Sequence, residues 1–189
     1  MNSASSQQSQ VVNSGNISYR PAMSADVEAI VTLVNSAYRG PSSRAGWTTE
    51  ADLLDGQRTD AEEISRLLGM DNSATLLCLC GDEIIGSVHL EKVDSTTAYL
   101  GMLVIKPTLQ GRGFGGRFMA EAEKIVRTEW GATRIQIQVI TLRHELIAYY
   151  QRHGYRRTGE IRPFPIFNPK FGLPKVEGLM FEVMEKSFC

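Results

Sequence analysis

The sequence predicts an α/β fold in which a mixed, mainly antiparallel sheet is flanked by helices and includes one parallel strand–loop–helix–strand unit. Three features carry that expectation. Residues 74–105 hold three apolar, β-prone runs separated by turn-forming residues, the pattern of consecutive antiparallel arms. A glycine-rich loop then leads into an amphipathic helix, and a strand of alternating polarity follows it. A strand–helix–strand connection of this kind is right-handed and parallel.

Ile17 to Arg20 reads as a short first strand. Ser24 offers a cap for a helix on which Val27, Ile30, Val31, Val34 and Tyr38 share one face. Small residues from Gly40 to Gly46 predict a loop. Thr49 with Asp52 resembles a capping arrangement, and Thr59 with Glu62 is a cleaner capping box ahead of Ile64, Leu67 and Leu68. Ala74 to Cys80 and Glu83 to Lys92 form two arms joined at Gly81-Asp82. Val93 to Thr96 turns the chain into Ala98 to Ile105, which Pro107 stops. The next helix carries Phe114, Phe118, Ala122, Ile125 and Val126 on one side. In Arg134 to Ile140, Ile135, Ile137 and Val139 alternate with Gln136 and Gln138. A further helix spans Leu142 to His153, with Leu146, Tyr149 and Tyr150 on a face and Gly154 as its stop. A proline-rich loop, Arg162 to Lys175, precedes a last strand from Leu179 to Met184.

At 189 residues and 21.0 kDa, the chain suits one domain over 17–189, behind a tail 1–16 rich in Ser, Gln and Asn and expected to be disordered. A net charge of −1 and a pI of about 6.3 give no basic footprint for nucleic acid and no polybasic membrane anchor. No apolar run approaches the ~20 residues of a membrane helix, and the N-terminal stretch lacks the apolar centre of a secretion signal. Cys78, Cys80 and Cys189 make no disulfide framework, and neither they nor His89, His144 and His153 show metal-ligand spacing. No metal is expected, and idle thiols suit a reducing cytoplasm.

The most informative stretch is Ile105-Lys106-Pro107-Thr108-Leu109-Gln110-Gly111-Arg112-Gly113-Phe114-Gly115-Gly116, at the junction of a strand and a helix. Such a junction presents free backbone N–H groups at the positive end of the helix dipole, a setting for a phosphate. Glycines let the backbone approach an anion and adopt positive φ. Arg112 and Arg117 could add charge-assisted contacts. A plain tight turn is the alternative. A P-loop would end in Gly-Lys-Ser/Thr, whereas this loop ends Gly115-Gly116-Arg117-Phe118. A dinucleotide fold would place its glycines after the first strand, not after several.

Gln110-x-x-Gly113-x-Gly115, preceded by Ile105-x-Pro107, resembles the coenzyme-A motif of the GNAT superfamily of N-acetyltransferases. Leu146 to Tyr155 is similar to a second motif of that family, an aromatic-Tyr pair followed by Gly and an aromatic. The order and separation of the two motifs agree, as does the strand plan from Ile17 to Met184. The resemblance implies acetyl-CoA as acyl donor, bound by the parallel unit, and a direct attack by a primary amine of a small molecule or peptide. It implies that the backbone of Leu103, Val104 and Ile105 would lie along the pantetheine arm like an added strand. The loop from Gln110 through Gly111, Arg112, Gly113, Phe114 and Gly115 to Gly116 would hold the pyrophosphate. Tyr150 matches the tyrosine that protonates the leaving thiolate, and a phenol with a pKa near 10 carries that proton at neutral pH. A core aromatic is the bland alternative.

Some positions depart from the family. Where many members carry a coenzyme-contacting Asn, this chain has Arg143, which could reach a phosphate or the pantetheine. Two places that often hold a carboxylate base correspond to Tyr99 and Gln138, neither of which can act so. Glu91, with His89 on the same face, is the candidate base; a solvated strand residue is the other reading. The acceptor would be bordered by Gly46 to Asp60 and by Arg162 to Lys175. The first holds Trp47, Glu50, Asp52, Asp55 and Asp60, which could attract a cationic amine or simply be exposed. The second holds Phe164, Phe167 and Phe171, an apolar wall or a cover for the sheet edge. Two other functions stay open, a non-catalytic acyl-CoA-binding sensor and a transferase of a longer acyl group. Homodimers through exposed strands, as in many relatives, also stay open.

Overall fold

Seven strands join into one sheet because their alternating side chains find apolar helices on both faces. The computed structural model describes residues 17–165 and 172–188, so the tail 1–16, Phe167, Phe171 and Cys189 lie outside the described residues. In chain order the strands are β1 (Ile17–Pro21), β2 (Leu54–Asp55), β3 (Ser73–Cys80), β4 (Glu83–Lys92), β5 (Thr97–Ile105), β6 (Arg134–Ile140), β7 (Arg156–Pro163), β8 (Leu173–Pro174) and β9 (Met180–Ser187). The helices are α1 (Val27–Tyr38), α2 (Gly40–Ser43), α3 (Ala61–Leu68), α4 (Phe114–Thr128) and α5 (His144–Arg152). The large sheet runs β1-β3-β4-β5-β6-β9-β7, and β2 pairs with β8 apart from it.

Helices α1 and α3 bring Ile30, Val34, Ile64 and Leu67 onto Leu77, Leu79 and Val104. Helices α4 and α5 bring Phe118, Met119, Ala122 and Ile147 onto the opposite face, against Val88, Leu100 and Ile135. Each such side chain, fully buried, contributes about 2 kcal/mol. The sheet is therefore sandwiched, and β3 and β5 each give side chains to both cores.

Every neighbouring pair in the large sheet is antiparallel except β5 and β6. That parallel ladder covers only Thr97–Tyr99 against Arg134–Gln136. Beyond it the two strands run on without sharing hydrogen bonds. A bulge lies just there: Ser87 faces Val104 and His89 faces Gly101, so Val88 alone stands opposite Met102 and Leu103. Met102 has φ 48°, rare for a residue with a side chain, which marks the twist that steers β5 out of register. The strip of β5 past the bulge thus presents backbone groups with no strand partner on its β6 side.

The expected elements form, with four differences. No helix follows Thr49; its hydroxyl instead meets Ser43 Oγ at 2.5 Å and accepts from the Ala51 N–H at 3.2 Å, in a turn that leads to β2. Helix α3 is capped one residue later than Thr59, by the Asp60 carboxylate accepting from the Glu63 N–H at 2.8 Å. Pro41, with its preset φ, starts the short helix α2 inside the expected loop. Strand β7, along the sheet edge beside β9, has every residue exposed, so no apolar alternation announced it. No helix among the described residues is long and apolar enough to cross a membrane.

Candidate active site

Two cavities open where β5 and β6 part. The larger, about 460 Å³, lies past the bulge and is floored by Leu103 and Ile105. Gln110, Gly111, Gly113, Gly115 and Gly116 form one wall, and α5 supplies Tyr149 and its C-cap residue His153. Gly111 and Gly113 have φ 77° and 81° and nothing within 4 Å of a built Cβ, so conformation, not space, selects glycine there. Gly113 is the N-cap of α4, and the first intrahelical bond there runs from the Arg117 N–H to the Gly113 carbonyl. The N–H groups of Phe114, Gly115 and Gly116 precede it and are left for an outside acceptor. At Gly116 space decides: a Cβ would stand 2.9 Å from His153 Nε2.

Gln110 does not point at the groove's centre. Its amide oxygen accepts from the N–H groups of Trp47 (3.0 Å) and Thr48 (3.3 Å). Its amide nitrogen donates to Thr48 Oγ1 (2.8 Å) and to the Ile105 carbonyl (2.9 Å). One side chain thereby ties the 46–48 segment to the glycine-rich loop, so tightly that a Cβ at Gly46 would lie 2.5 Å from Gln110 Oε1. The same tie holds Trp47, whose ring centre is 5.1 Å from that of Tyr149, with His153 at 4.3 Å beyond. These three rings line the groove, with Tyr149 and His153 directly against Gly115 and Gly116. Neither Trp47 nor His153 carries a signal in sequence that separates it from an ordinary surface or helix residue.

The smaller cavity, about 250 Å³, lies where β5 and β6 first separate and is lined by Tyr38, Arg39, Glu50, Tyr99, Gln138 and Arg143, among others. Arg39 and Arg143 both pair with Glu50, Arg143 at 3.5 Å, and the Glu50 N–H donates to the Tyr38 carbonyl at 3.0 Å. The Tyr38 hydroxyl donates to the Leu103 carbonyl at 2.9 Å, across to the floor of the larger groove. Burial pushes that hydroxyl up to about 12, and the nearby Glu50 charge adds to the effect.

Tyr150 lines neither cavity, but it lies near residues of both: Tyr38, Tyr99 and Arg143 of the smaller and Tyr149 of the larger. It is 8% exposed, and its ring packs edge-on against Tyr149 and Tyr155, each at 5.5 Å. Burial raises its pKa well above the ordinary phenol value, and Tyr38 and Tyr149 push the same way. The phenol is therefore protonated at neutral pH.

The sequence-based candidates fall into three groups. Leu103, Ile105, Gln110, Gly111, Gly113, Gly115 and Gly116 meet at the larger groove. Val104 and Phe114 turn their side chains into the two cores, leaving only their backbone to the site, and Arg112 is exposed at the loop. Arg143, expected at the coenzyme, lines the smaller cavity instead. Glu91 lines neither cavity: it faces Tyr99 across the β4–β5 ladder and lies 3.5 Å from Asn72 Nδ2. His89 is buried on Thr75, and burial holds its imidazole down at about 4, which makes it a poor proton acceptor. The acids of the Gly46–Asp60 segment are engaged as well: Asp52 with Arg44, Asp55 with Lys175, Asp60 at its cap and Glu50 with its two guanidiniums. Phe164 packs at 5.2 Å from Phe181 and covers the end of the sheet while also lining the smaller cavity.

The sequence model of the acetyltransferase (GNAT) family matches residues 28–155. No curated protein matches the chain. Among solved structures, the fold is similar to a GNAT family acetyltransferase from Elizabethkingia anophelis with acetyl-CoA bound, at TM-score 0.60 and 15% identity over 92% of this chain and 99% of that one. It is also similar to the ribosomal-protein-S18-alanine N-acetyltransferase from Escherichia coli, at TM-score 0.65 and 11% identity over 90% and 93% of the two chains. A variant spermidine N-acetyltransferase from Vibrio cholerae superposes at TM-score 0.66 and 14% identity, over 91% and 94%. At such identities the likeness is one of fold, whereas the family match spans more than half of the residues and takes in both the glycine-rich loop and Tyr150. The chain belongs to the acetyltransferase (GNAT) family.

Proposed function

We propose that the protein transfers the acetyl group of acetyl-CoA to a primary amine by direct attack, with the larger groove holding the coenzyme and the smaller cavity the amine. The observation that carries this reading is two cavities on consecutive stretches of β5, the smaller at Tyr99–Met102 and the larger at Leu103 and Ile105, with the buried, protonated Tyr150 near Tyr38 and Tyr99 of one and Tyr149 of the other. The glycine-rich loop fits a diphosphate: three N–H groups before the first intrahelical bond stand at the positive pole of a fifteen-residue helix, beside glycines that line the groove and add no side chains to it. The open edge of β5 from Leu103 to Ile105 suits an extended amide-bearing arm, which would add to it as a further strand. When bound, acetyl-CoA would supply the thioester carbonyl and a thiol leaving group. The chain's residues orient that carbonyl against the amine and offer backbone N–H groups to its oxygen. Tyr150 gives its phenolic proton to the departing sulfur.

Glu50 is the one carboxylate lining the smaller cavity among the described residues, and two guanidiniums already hold it. We therefore assign no protein carboxylate as base; the amine's proton leaves to solvent in the cavity. The same observation favours a second reading, a sensor that binds acyl-CoA without turnover. Thiol release from acetyl-CoA, followed with a panel of amines and confirmed by the mass of the acetylated product, separates the two. Release dependent on an amine supports transfer. Coenzyme binding with no release from any amine would leave the sensor.

A further inference from the structure

The smaller cavity has an electrostatic character that its role as an amine site does not by itself call for. Arg39 and Arg143 share the Glu50 carboxylate, Arg39 through Oε2 and Arg143 through Oε1. The Arg143 side chain is only 9% exposed, and its ion pair with Glu50 is long, at 3.5 Å, while the other Glu50 oxygen serves Arg39. A guanidinium so far out of water is stable when an anion satisfies its remaining donors. Arg58, stacked over the Tyr38 ring at 5.8 Å, lines the same space. Glu50 is the one carboxylate among the described lining residues, and Arg39 and Arg143 already share it, so none is left to hold a purely cationic acceptor. At about 250 Å³ the cavity is also below the ~300–1,000 Å³ of sites for drug-sized ligands, which suits a small molecule.

We propose that the acceptor is a small amine that also bears a carboxylate, as an amino acid does, and that Arg143 takes that carboxylate in the cavity between β5 and β6. The inference rests on the acetyl-transfer reading and narrows its substrate class. A planar guanidinium binds a carboxylate through two parallel N–H donors, which sets the distance from the carboxylate to the amine and presents the amine toward the split. Arg143 is then a specificity-determining residue.

The test compares matched acceptors that differ in one charge: α- and ω-amino acids, their carboxamides, and spermidine as a polycation. Turnover is read as thiol release, and affinity for the protein–coenzyme A complex is read separately by calorimetry. Amino acids should exceed their carboxamides by about 10- to 100-fold in kcat/KM and in affinity, the span of one charge-assisted contact. Arg143→Gln should shrink that ratio toward one with coenzyme affinity unchanged, and Arg143→Lys should keep part of it. Carboxamides or spermidine used as well as the acids would overturn the proposal, as would an Arg143→Gln variant whose main defect is coenzyme binding. If no amine releases thiol, acetyl transfer itself fails, while calorimetry on the unaltered protein still decides for or against a preference for acids.

Discussion

Burial does opposite things to Tyr150 and His89, and both have measurable consequences. For Tyr150 it removes the option of ionising, so the hydroxyl stays a proton donor across the working range. Tyr150→Phe removes that proton and little else from a packed ring. Its kcat should fall by about 100-fold or more, with the coenzyme dissociation constant unchanged, when turnover and calorimetry are measured together. Unaltered turnover would take Tyr150 out of the chemistry. For His89, burial disfavours the charged form and holds the imidazole at about 4 against 6.5 in an exposed chain. As pH drops below 6.5 the unfolded chain takes up a proton that the folded site refuses, so the His89 contribution to stability declines down to about pH 4 and changes no further below it. The decline amounts to about 3 kcal/mol at most. Denaturant unfolding across that range should show it, and His89→Gln should flatten the curve.

Among the elements, the glycine-rich loop depends on two different demands on its glycines. Gly113 caps α4 at φ 81°, where a side chain costs about 1–2 kcal/mol of strain, so Gly113→Ala should lower stability by that amount and weaken coenzyme binding. At Gly116 a methyl group would press on His153 Nε2, so Gly116→Ala should displace the aromatic wall with less cost to the helix. Gln110→Ala cuts all four hydrogen bonds that tie the Trp47 segment to β5 and the loop. Loss of about 1 kcal/mol of ordering should weaken coenzyme affinity roughly fivefold in calorimetry, without touching the reacting atoms. This loop was legible in the sequence because its requirements are local: a strand end, positive φ, a helix start. Strand β7 was not, because Arg156–Pro163 is exposed along its whole length and leaves no period to read. Nor was the helix expected after Thr49, where the turn to β2 and its pairing with β8 override a local capping preference.

For the whole molecule, the split sheet is what brings distant residues into one place. Arg143 meets Glu50 across 93 positions, and Tyr38 reaches Leu103 across 65, contacts that no motif spacing announces. Most residues of the larger groove belong to the two motifs, whereas the smaller cavity depends on how α1, the 44–53 turn and α5 pack around the gap. The absence of an uncommitted carboxylate among the described lining residues also sets the pH response. The rate constant kcat/KM should climb about tenfold per pH unit until the acceptor's own ammonium group has titrated, because only the neutral amine attacks. Two acceptors with different amine pKa values should therefore level off at different pH, and a shared plateau would reveal a base in the protein. The most direct test of the central claim is a crystal structure of the complex with coenzyme A. The account predicts the diphosphate against the N–H groups of Gly111 to Gly116 and the pantetheine arm along Leu103 to Ile105, with its sulfur beside Tyr150. A coenzyme bound anywhere else on the chain would contradict it.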